Sequence, residues 1–241
     1  MNPVRHYFGD VNVVRDSIKS NINKMSNGVN PLPAYLQRTG VLSPKSEPKI
    51  LEAFGVIDRA DFLPDELKSS AYSGEAFPIG HGQTISQPYT VAFMLKLLQP
   101  KAGEKIMDVG AGSGWQTALL AQIVGSQGKV LAVERVAELC GFGRANVSKY
   151  NFVEGIVEWF CQDASAGLPD NAPFDKIIAA ASIVDYKVPK AWEEQLKVGG
   201  RMVVPIENSV WLFIKQKDGT FQEKEFPGFV FVPFIKDGAD R

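Results

Sequence analysis

Histidine and cysteine are scarce in this chain of 241 residues, and their scarcity excludes whole classes of site. Two histidines, His6 and His81, cannot form a histidine-rich metal centre. The two cysteines, Cys140 and Cys161, have neither metal-ligand spacing nor the pattern of a disulfide framework. We therefore expect buried, reduced thiols and no bound metal.

Long apolar runs and an excess of charge of one sign are also missing. No apolar stretch approaches the roughly 18 residues of a spanning helix, so no membrane association is expected. No apolar segment follows Arg5 and His6, and we expect no secretory signal. The net charge of −1 creates no overall attraction to nucleic acid. With 45% apolar and 22% charged residues, the composition is typical of a soluble globular protein. The few cysteines and the lack of a secretory signal favour the cytoplasm.

One stretch, residues 105–115, dominates what is present. It begins as an apolar strand interrupted by Asp108, continues through three glycines at alternate positions and opens a helical pattern. A second apolar strand ends in Glu134, about twenty residues further on, where a carboxylate can accept hydrogen bonds from ribose hydroxyls. This order is how an α/β sheet builds a nucleoside site, since glycine lets the backbone approach a ligand closely. The glycines are Gly110, Gly112 and Gly114.

The spacing of the glycines bears on which nucleoside is bound. The pattern is GxGxG rather than the GxGxxG of dinucleotide-binding proteins. Asp108 stands just before the turn, where its charge disfavours a diphosphate and suits a cationic or zwitterionic ligand. S-adenosylmethionine carries a sulfonium, an ammonium, a carboxylate and a ribose. We favour it over a nicotinamide cofactor, and Glu134 argues against a turn that binds nothing.

The remaining pattern divides the chain into three parts. Residues 1–33 form an extension with one amphipathic helix in residues 11–25 and a proline-containing linker. Residues 34–100 form a helical subdomain and a loop, and residues 101–241 form the cofactor-binding α/β domain. The predicted strands cover residues 106–109, 129–134, 156–161, 176–181 and 201–206, then a hairpin of 209–216 and 220–226, with a β-prone segment at 229–235. The predicted helices cover residues 91–98, 115–124, 136–150 and 188–197. Strands alternating with helices predict a mostly parallel sheet with one antiparallel strand.

Residues 72–90 are predicted to be a loop, rich in glycine, proline and hydrogen-bonding side chains. A loop just before the first strand of a nucleoside-binding sheet is a candidate lid. Within it, Ser86 has two interpretations. It could act in the site, or it could be the N-cap of the next helix with Pro88 in the first turn.

Two motifs closely resemble those of the protein-L-isoaspartate O-methyltransferase family: IGHGQTISQP at residues 79–88 and MDVGAGSGW at residues 107–115. The first is distinctive for that family, and the second is shared by many methyltransferases of the same fold. The resemblance extends from about Tyr35 to Lys236. It implies a Rossmann-like, seven-stranded class I methyltransferase sheet with a C-terminal antiparallel hairpin and added N-terminal helices.

The resemblance also implies an activity. Members of the family methylate the α-carboxylate of L-isoaspartyl residues in damaged proteins and peptides, as protein repair. The cofactor would be S-adenosylmethionine, the product S-adenosylhomocysteine, and no metal would be needed. We expect a cytoplasmic monomer that acts on isoaspartyl proteins and peptides.

Site residues follow from the same motifs. Ser86 matches the active-site serine, as a hydrogen-bond donor to the substrate carboxylate and not as a nucleophile. His81 could be a second donor or a structural residue of a tight loop. The cofactor-binding residues implied are Gln83, Thr84, Asp108, Gly110, Gly112, Ser113, Glu134, Asp163 and Ala164, where Asp108 would hold backbone amides near the sulfonium and Asp163 would take the adenine amino group. The substrate-binding residues implied are His81, Ile85, Ile206 and Val232.

Departures from the family pattern keep alternatives open. Gln162 and Ala164 flank Asp163 where glycines are common, Ser182 replaces a frequent proline, and Glu207 stands where a glycine is common. One alternative is a carboxyl O-methyltransferase for aspartate in a modified peptide. Another is a non-catalytic protein that keeps the fold and binds substrate. A nucleic-acid methyltransferase is disfavoured, because the basic residues are scattered and no Asn-Pro-Pro-Tyr-type motif follows the fourth strand.

Overall fold

The glycine-rich stretch joins the central strand of a sheet to the helix that follows it. The computed structural model describes residues 30–150, 155–184 and 186–235. The predicted helix in residues 11–25 lies outside these ranges. The N-terminal part that is described is helical, as predicted, and packs against the α/β part through a shared apolar core.

The helices and strands follow one another along the chain in largely the predicted order. The helices are α1 (Leu32–Arg38), α2 (Pro48–Val56), α3 (Pro88–Leu98), α4 (Trp115–Val124), α5 (Ala137–Val147) and α6 (Lys190–Gln195). The strands are β1 (Phe77–Gly80), β2 (Gln83–Ile85), β3 (Lys105–Val109), β4 (Lys129–Val133), β5 (Val157–Phe160), β6 (Phe174–Ala179), β7 (Leu196–Ile206), β8 (Ser209–Lys215) and β9 (Phe221–Pro227). Short 3₁₀ turns cover Arg59–Phe62, Asp65–Ser70 and Pro169–Asn171.

Within the described residues, the main sheet has seven strands in the order β5-β4-β3-β6-β7-β8-β9. The pairs from β5 to β7 are parallel, and β8 runs antiparallel to both β7 and β9. The predicted mostly parallel sheet with an antiparallel C-terminal hairpin is confirmed. The strand order reverses at β3, and in such sheets a ligand crevice forms at the carboxyl ends of the strands beside the reversal.

Apolar side chains cover both faces of the central strands. Ile106 packs into a cluster that contains Leu119 of α4 and the N-terminal helices. Its neighbour Met107 packs into a second cluster that contains Trp192 of α6. Successive strand residues point to opposite faces, and both faces are buried. This double burial explains why β3 reads as a continuous apolar run that only Asp108 interrupts.

The stretch predicted as a loop, residues 72–90, contains a β-hairpin, which corrects that prediction. β1 pairs antiparallel with β2, with Phe77 opposite Ile85 and Gly80 opposite Gln83. The turn passes through Gly80, His81 and Gly82, which all have positive φ. Strands of three and four residues that contain proline and glycine give too weak an alternation to be recognised in the sequence.

Two further boundaries differ from the prediction. The helix predicted at residues 188–197 is the shorter α6, because Leu196 already pairs with Phe174 and begins β7. The β-prone segment at residues 229–235 forms no strand, and Pro233 makes an isolated bridge to Ser182. That segment nevertheless lies over the carboxyl ends of the strands, where it contributes to the site.

The cysteines form a disulfide, and the expectation of reduced thiols is wrong. Cys140 lies in α5 and Cys161 follows β5, with Cα atoms 5.8 Å apart. This separation falls within the range that a disulfide requires. The two cysteines are 21 residues apart in sequence, and they meet because α5 and β5 pack side by side.

Candidate functional site

The glycine turn after β3 adopts a backbone that other residues rarely adopt. Gly110, Gly112 and Gly114 have φ of +75°, +52° and +85°. The amide of Gly110 donates to the carbonyl of Val133 at 2.8 Å, which ties the turn to the end of β4. A Cβ at Gly112 would approach Ile79 Cδ1 to 3.2 Å. The positive φ values favour glycine at all three positions, and the tight contact with the hairpin adds to this preference at Gly112.

Glu134 fixes the opposite side of the same turn. Its side chain is 6% exposed, Oε2 accepts the amide of Gly112 at 2.9 Å, and Oε1 accepts the amide of Val136 at 2.9 Å. An ionised carboxylate can accept about four hydrogen bonds, so each oxygen keeps a lone pair for another donor. The carboxylate is held in place and can still accept two hydroxyl groups of a ligand.

Asp108 lies behind the turn rather than on its surface. It is fully buried, and its oxygens accept Thr117 Oγ1 at 2.6 Å and Gln116 Nε2 at 2.7 Å. Burial and, to a smaller extent, the charge of Glu134 outweigh these two hydrogen bonds and raise the pKa of Asp108 to about 6. The expectation that Asp108 holds backbone amides is wrong, because its partners are side chains of α4.

A cavity of about 290 Å³ opens at the carboxyl ends of β3 and β4, and we call it the glycine-turn cavity. Its floor is the glycine turn, and the hairpin and the segment 232–235 close it. Among the residues that the sequence indicates for the cofactor, those on its wall are Gln83, Thr84, Gly110, Gly112, Glu134 and Ala164. Polar residues that sequence reasoning missed, Arg135, Glu138 and Gln162, line it as well.

Two other residues indicated for the cofactor lie beside this cavity and not on its wall. Ser113 is buried, and its carbonyl accepts Asn146 Nδ2 at 3.1 Å. Asp163 Oδ1 accepts both the amide and the hydroxyl of Ser165 at 2.7 Å. Asp163 thus closes a local turn, while its neighbour Ala164 reaches the cavity.

A second cavity of about 490 Å³ adjoins the first, and we call it the hairpin cavity. It lies between residues 76–90 and residues 228–232. Three residues line both cavities, so the two spaces meet at Thr84, Ala180 and Val232. Ser86 lines the hairpin cavity.

The structure excludes one of the two interpretations of Ser86. The N-cap of α3 is Gln87, and it makes no side-chain cap hydrogen bond. Ser86 is half-buried, precedes the cap and faces the hairpin cavity. Its carbonyl oxygen accepts Arg59 Nη2 at 3.1 Å. The N-cap interpretation is therefore wrong, and Ser86 lies where it can contact a molecule in the hairpin cavity.

The residues indicated for substrate binding separate into two groups. Val232 lines both cavities, and His81 lines the glycine-turn cavity from the tight turn of the hairpin, with φ of +53°. Ile85 and Ile206 are 4% and 2% exposed and pack in the apolar core. These two isoleucines therefore pack behind the residues that line the cavities and present almost no surface to a substrate.

The missed residues differ in the signal that could have revealed them. Arg135 and Gln162 follow the carboxyl ends of β4 and β5, where the crevice rule for open sheets places ligand contacts. Arg59, whose contact with Ser86 appears above, follows the Asp58 that caps a 3₁₀ turn and belongs to no motif. Nothing in the sequence around it indicates burial.

Two negative findings concern the described part of the chain. Within residues 30–150, 155–184 and 186–235, no cluster of three or more histidine, cysteine, aspartate or glutamate side chains is placed to hold a metal ion. In the same ranges, no helix is long and apolar enough to span a bilayer.

Comparison with known proteins identifies relatives of this arrangement. A family model described as protein-L-isoaspartate(D-aspartate) O-methyltransferase matches residues 28–239. A protein-L-isoaspartate O-methyltransferase of Aeropyrum pernix is 44% identical over 210 residues, 86% of this chain and 78% of the relative. Another, from Flavobacterium psychrophilum, is 42% identical over 211 residues, 86% of this chain and 94% of the relative.

Solved structures share the architecture. One is a Plasmodium falciparum protein described as a protein-L-isoaspartate O-methyltransferase in complex with S-adenosyl-L-homocysteine. It has a TM-score of 0.75 and 22% identity, covering 86% of this chain and 98% of its own. A second, described as a protein-L-isoaspartate O-methyltransferase, has a TM-score of 0.72 and 28% identity, covering 84% of this chain and 64% of its own. The class I methyltransferase fold expected from the sequence is confirmed.

Proposed function

This chain belongs to the protein-L-isoaspartate(D-aspartate) O-methyltransferase family, and on that premise we propose that it methylates the α-carboxylate of L-isoaspartyl residues in damaged proteins and peptides. The methyl donor is S-adenosylmethionine. The observation that carries the proposal is the meeting of two cavities at Thr84, Ala180 and Val232, with Glu134 on one and Ser86 on the other. One cavity takes the donor, and the other takes the acceptor.

The residues of the glycine-turn cavity fit the cofactor. Its glycine floor has the positive φ that other residues rarely adopt, and Glu134 keeps lone pairs for ribose hydroxyls. We assign the methionine part to Gly110 and Gly112, the cover to Gln83 and Thr84, and the adenine side to Gln162 and Ala164. When bound, the cofactor supplies a methyl group on a sulfonium sulfur. Asp108 and Ser113 act indirectly, by fixing the start of α4 and its packing on α5.

The hairpin cavity suits an ionised carboxylate. None of the described residues that line it has a charged side chain. Thr84, Ser86 and Thr90 are among them, and each carries a hydroxyl group. A carboxylate is ionised at neutral pH and needs no general base to attack an activated methyl group. The chain must therefore orient the oxygen and exclude water, and such orientation is worth roughly 7–11 kcal/mol. Ser86 donates a hydrogen bond that holds the carboxylate in line.

Aromatic side chains form the outer wall for the peptide. Tyr89, Phe229 and Phe231 line the hairpin cavity, and Phe229 stacks on Phe93 with ring centroids 5.0 Å apart. These apolar faces can pack against the rerouted chain on either side of an isoaspartyl residue. Within this scheme, residues 101–241 bind the cofactor, and residues 34–100 supply the hairpin. The enzyme acts as a cytoplasmic monomer without nucleic acid or membrane.

Matched peptides test the substrate. Two peptides of one sequence, carrying L-isoaspartate or L-aspartate at one position, are incubated with the enzyme and labelled cofactor. We expect base-labile methyl ester on the isoaspartyl peptide, because an aspartyl residue presents its side-chain carboxylate on a different arm. Equal initial rates on the two peptides would contradict the repair assignment.

A second substrate class is favoured by the segment that departs from the family pattern. The amide of Ser182 donates to the carbonyl of Val232 at 2.8 Å, and Ser182 Oγ donates to the carbonyl of Glu207 at 3.2 Å. These bonds position a residue that lines both cavities. Hydrogen bonds from Ser182 could place Val232 so that the cavity admits aspartate in a modified peptide. A panel of such peptides in the same assay separates the two substrate classes.

A further inference from the structure

Arg59 connects the two ends of the hairpin that carries the acceptor site. It is fully buried in the 3₁₀ turn Arg59–Phe62. Nη2 donates to the carbonyl of Glu75 at 2.8 Å, just before β1, and to the carbonyl of Ser86 at 3.1 Å, just after β2. Nη1 donates to the carbonyl of Ala71 at 2.7 Å. One guanidinium thus fixes both ends of a hairpin that lies on both cavities.

The same side chain touches the cofactor side of the molecule. Its guanidinium carbon lies 5.2 Å from the ring centroid of Trp115 and 5.4 Å from that of Phe77. Trp115 is the first residue of α4 and follows the glycine turn directly. Arg59 therefore spans from the turn under the glycine-turn cavity to the backbone of Ser86.

The chemistry of these contacts requires arginine. Burial lowers the pKa of Arg59 to about 9, and the side chain stays protonated at neutral pH. Carbonyl oxygens and aromatic faces surround the charge. The planar guanidinium group can donate to several carbonyls at fixed angles while it stacks on a ring. A lysine would keep the charge but lose the fork, so Arg59→Lys is the conservative variant that isolates geometry.

We propose that Arg59 is a positioning residue for methyl transfer: through the Ser86 carbonyl and the Trp115 ring, it sets the Ser86 hydroxyl relative to the cofactor site. The inference rests on the proposed role of Ser86. It predicts that Arg59 and Ser86 act as one unit in the reaction and that Arg59 contributes little to cofactor affinity.

A double-mutant cycle tests this unit. Arg59→Lys is made in the wild-type chain and in Ser86→Ala, and kcat, KM for an isoaspartyl peptide and Kd for S-adenosylhomocysteine are measured. In the wild-type chain, we expect Arg59→Lys to lower kcat about tenfold and to change Kd by less than about threefold. In Ser86→Ala, the same substitution should lower kcat by less than about twofold, since the hydroxyl to be positioned is gone. The difference between the two effects is a coupling of the size found for contacting residues.

Controls separate positioning from folding. Arg201 is a half-buried arginine whose Nε donates to the carbonyl of Leu97 at 2.8 Å, so Arg201→Lys reports a similar lost contact outside the site. It should leave kcat unchanged. If Arg59→Lys fails to fold, Phe77→Leu removes one ring from the guanidinium and should lower kcat in the wild-type chain but not in Ser86→Ala.

The outcomes that overturn the proposal differ from those that overturn the function. Equal fold losses of kcat in the two backgrounds, or a large rise in Kd, would show that Arg59 does not act through Ser86. A wild-type chain that methylates no isoaspartyl peptide would contradict the proposed function and the positioning role together. A wild-type chain that is active while the cycle is additive would contradict the positioning role alone.

Discussion

The two cavities lie side by side but are built in different ways. The glycine-turn cavity rests on the carboxyl ends of β3 and β4 and has Glu134, Arg135 and Glu138 on its wall. The hairpin cavity lies between residues 76–90, which include the β1–β2 hairpin, and the irregular segment 228–232, and its lining includes hydroxyl-bearing and aromatic residues. The first depends on backbone conformation and a fixed carboxylate, and the second on side chains that distant segments bring together. The glycine turn and Glu134 are therefore close together in sequence, whereas the residues that line the hairpin cavity come from distant segments.

The largest effect is expected in the backbone of the glycine turn. In Gly114→Ala, the new Cβ would lie 2.9 Å from both the Gly143 carbonyl oxygen and Val147 Cγ2, at φ of +85°. We expect a loss of roughly 2–5 kcal/mol in the free energy of unfolding, from the strained φ and the overpacking together. Urea denaturation measures the loss, and calorimetry should show weaker binding of S-adenosylhomocysteine.

Gly219 provides the matched control for that substitution. It has φ of +86° in the turn between β8 and β9, and a Cβ there would meet no atom within 4 Å. Gly219→Ala should cost only the conformational part, roughly 1–2 kcal/mol, and leave cofactor binding intact. Equal losses in the two variants would show that close packing at Gly114 contributes nothing.

Glu134→Gln should weaken binding of the cofactor and leave binding of the peptide acceptor unchanged. A carboxamide can accept only one of the two amides, from Gly112 and Val136, and its NH₂ group would face the other donor. This mispairing destabilises the free and the bound enzyme alike. Kd for S-adenosylhomocysteine should rise roughly tenfold to a hundredfold, because ribose hydroxyls lose an ionised acceptor and a hydrogen bond to a charged group is worth about 1.5–3 kcal/mol. Glu158→Gln, at an exposed position on β5, is the control and should not change Kd.

Asp108, which lies behind the glycine turn, should make the free energy of unfolding depend on pH. Its pKa is raised by burial to about 6 in the folded chain, against an ordinary value of 3.8. The stabilisation from proton binding is complete below about pH 4 and is lost as the pH rises through about 6. The free energy of unfolding of the wild type, relative to Asp108→Asn, should therefore fall by up to about 3 kcal/mol between pH 4 and pH 7. Urea denaturation at several pH values checks this slope.

Asp175 supplies a control of opposite sign. Burial raises its pKa, but hydrogen bonds from the Lys105 amide and the Lys197 side chain outweigh burial and lower it overall. Its stabilisation is present above its unfolded pKa and is lost as the pH falls. The free energy of unfolding of the wild type relative to Asp175→Asn should therefore rise with pH, while the value relative to Asp108→Asn falls. The same direction of change for both would contradict the assignment of Asp108.

The smallest effect is expected at the outer wall of the hairpin cavity. Phe229→Leu removes an aromatic ring from the lining of this cavity, and a contact between aromatic rings is worth about 0.5–1.5 kcal/mol. KM for an isoaspartyl peptide should rise roughly twofold to tenfold, with Kd for the cofactor product unchanged. Phe221→Leu removes a ring of β9 that packs on Phe213 outside both cavities, and its KM should match the wild type.

The sequence was informative where its signals are contiguous. The glycine turn, the strands around it and Glu134 lie in runs whose periodicity and glycine spacing report the local backbone directly. The Cys140–Cys161 disulfide was missed because the contact depends on how α5 packs beside β5. Alternating burial likewise could not show which side of a wall Ile85 and Ile206 occupy, since core and cavity both accept isoleucine.

Other features depend on packing that no motif records. Asp108 was expected to hold backbone amides beside the turn, yet β3 directs it toward Thr117 of α4. Arg59 lies in a short 3₁₀ turn, and its burial arises from three segments that converge on it. The assignments of individual residues to cofactor and substrate stay predictions until the variants are measured.

Ser86→Ala tests the division between the two cavities most directly. The exposed Ser148→Ala, whose hydroxyl bonds only to the Ala145 carbonyl among the described residues, is its control. With an isoaspartyl peptide, we expect Ser86→Ala to lower kcat by roughly tenfold to a hundredfold, the worth of a hydrogen bond to a charged group. Kd for S-adenosylhomocysteine should stay within about twofold of the wild-type value. Unchanged kcat, or a loss of cofactor affinity as large as the loss of kcat, would contradict the account.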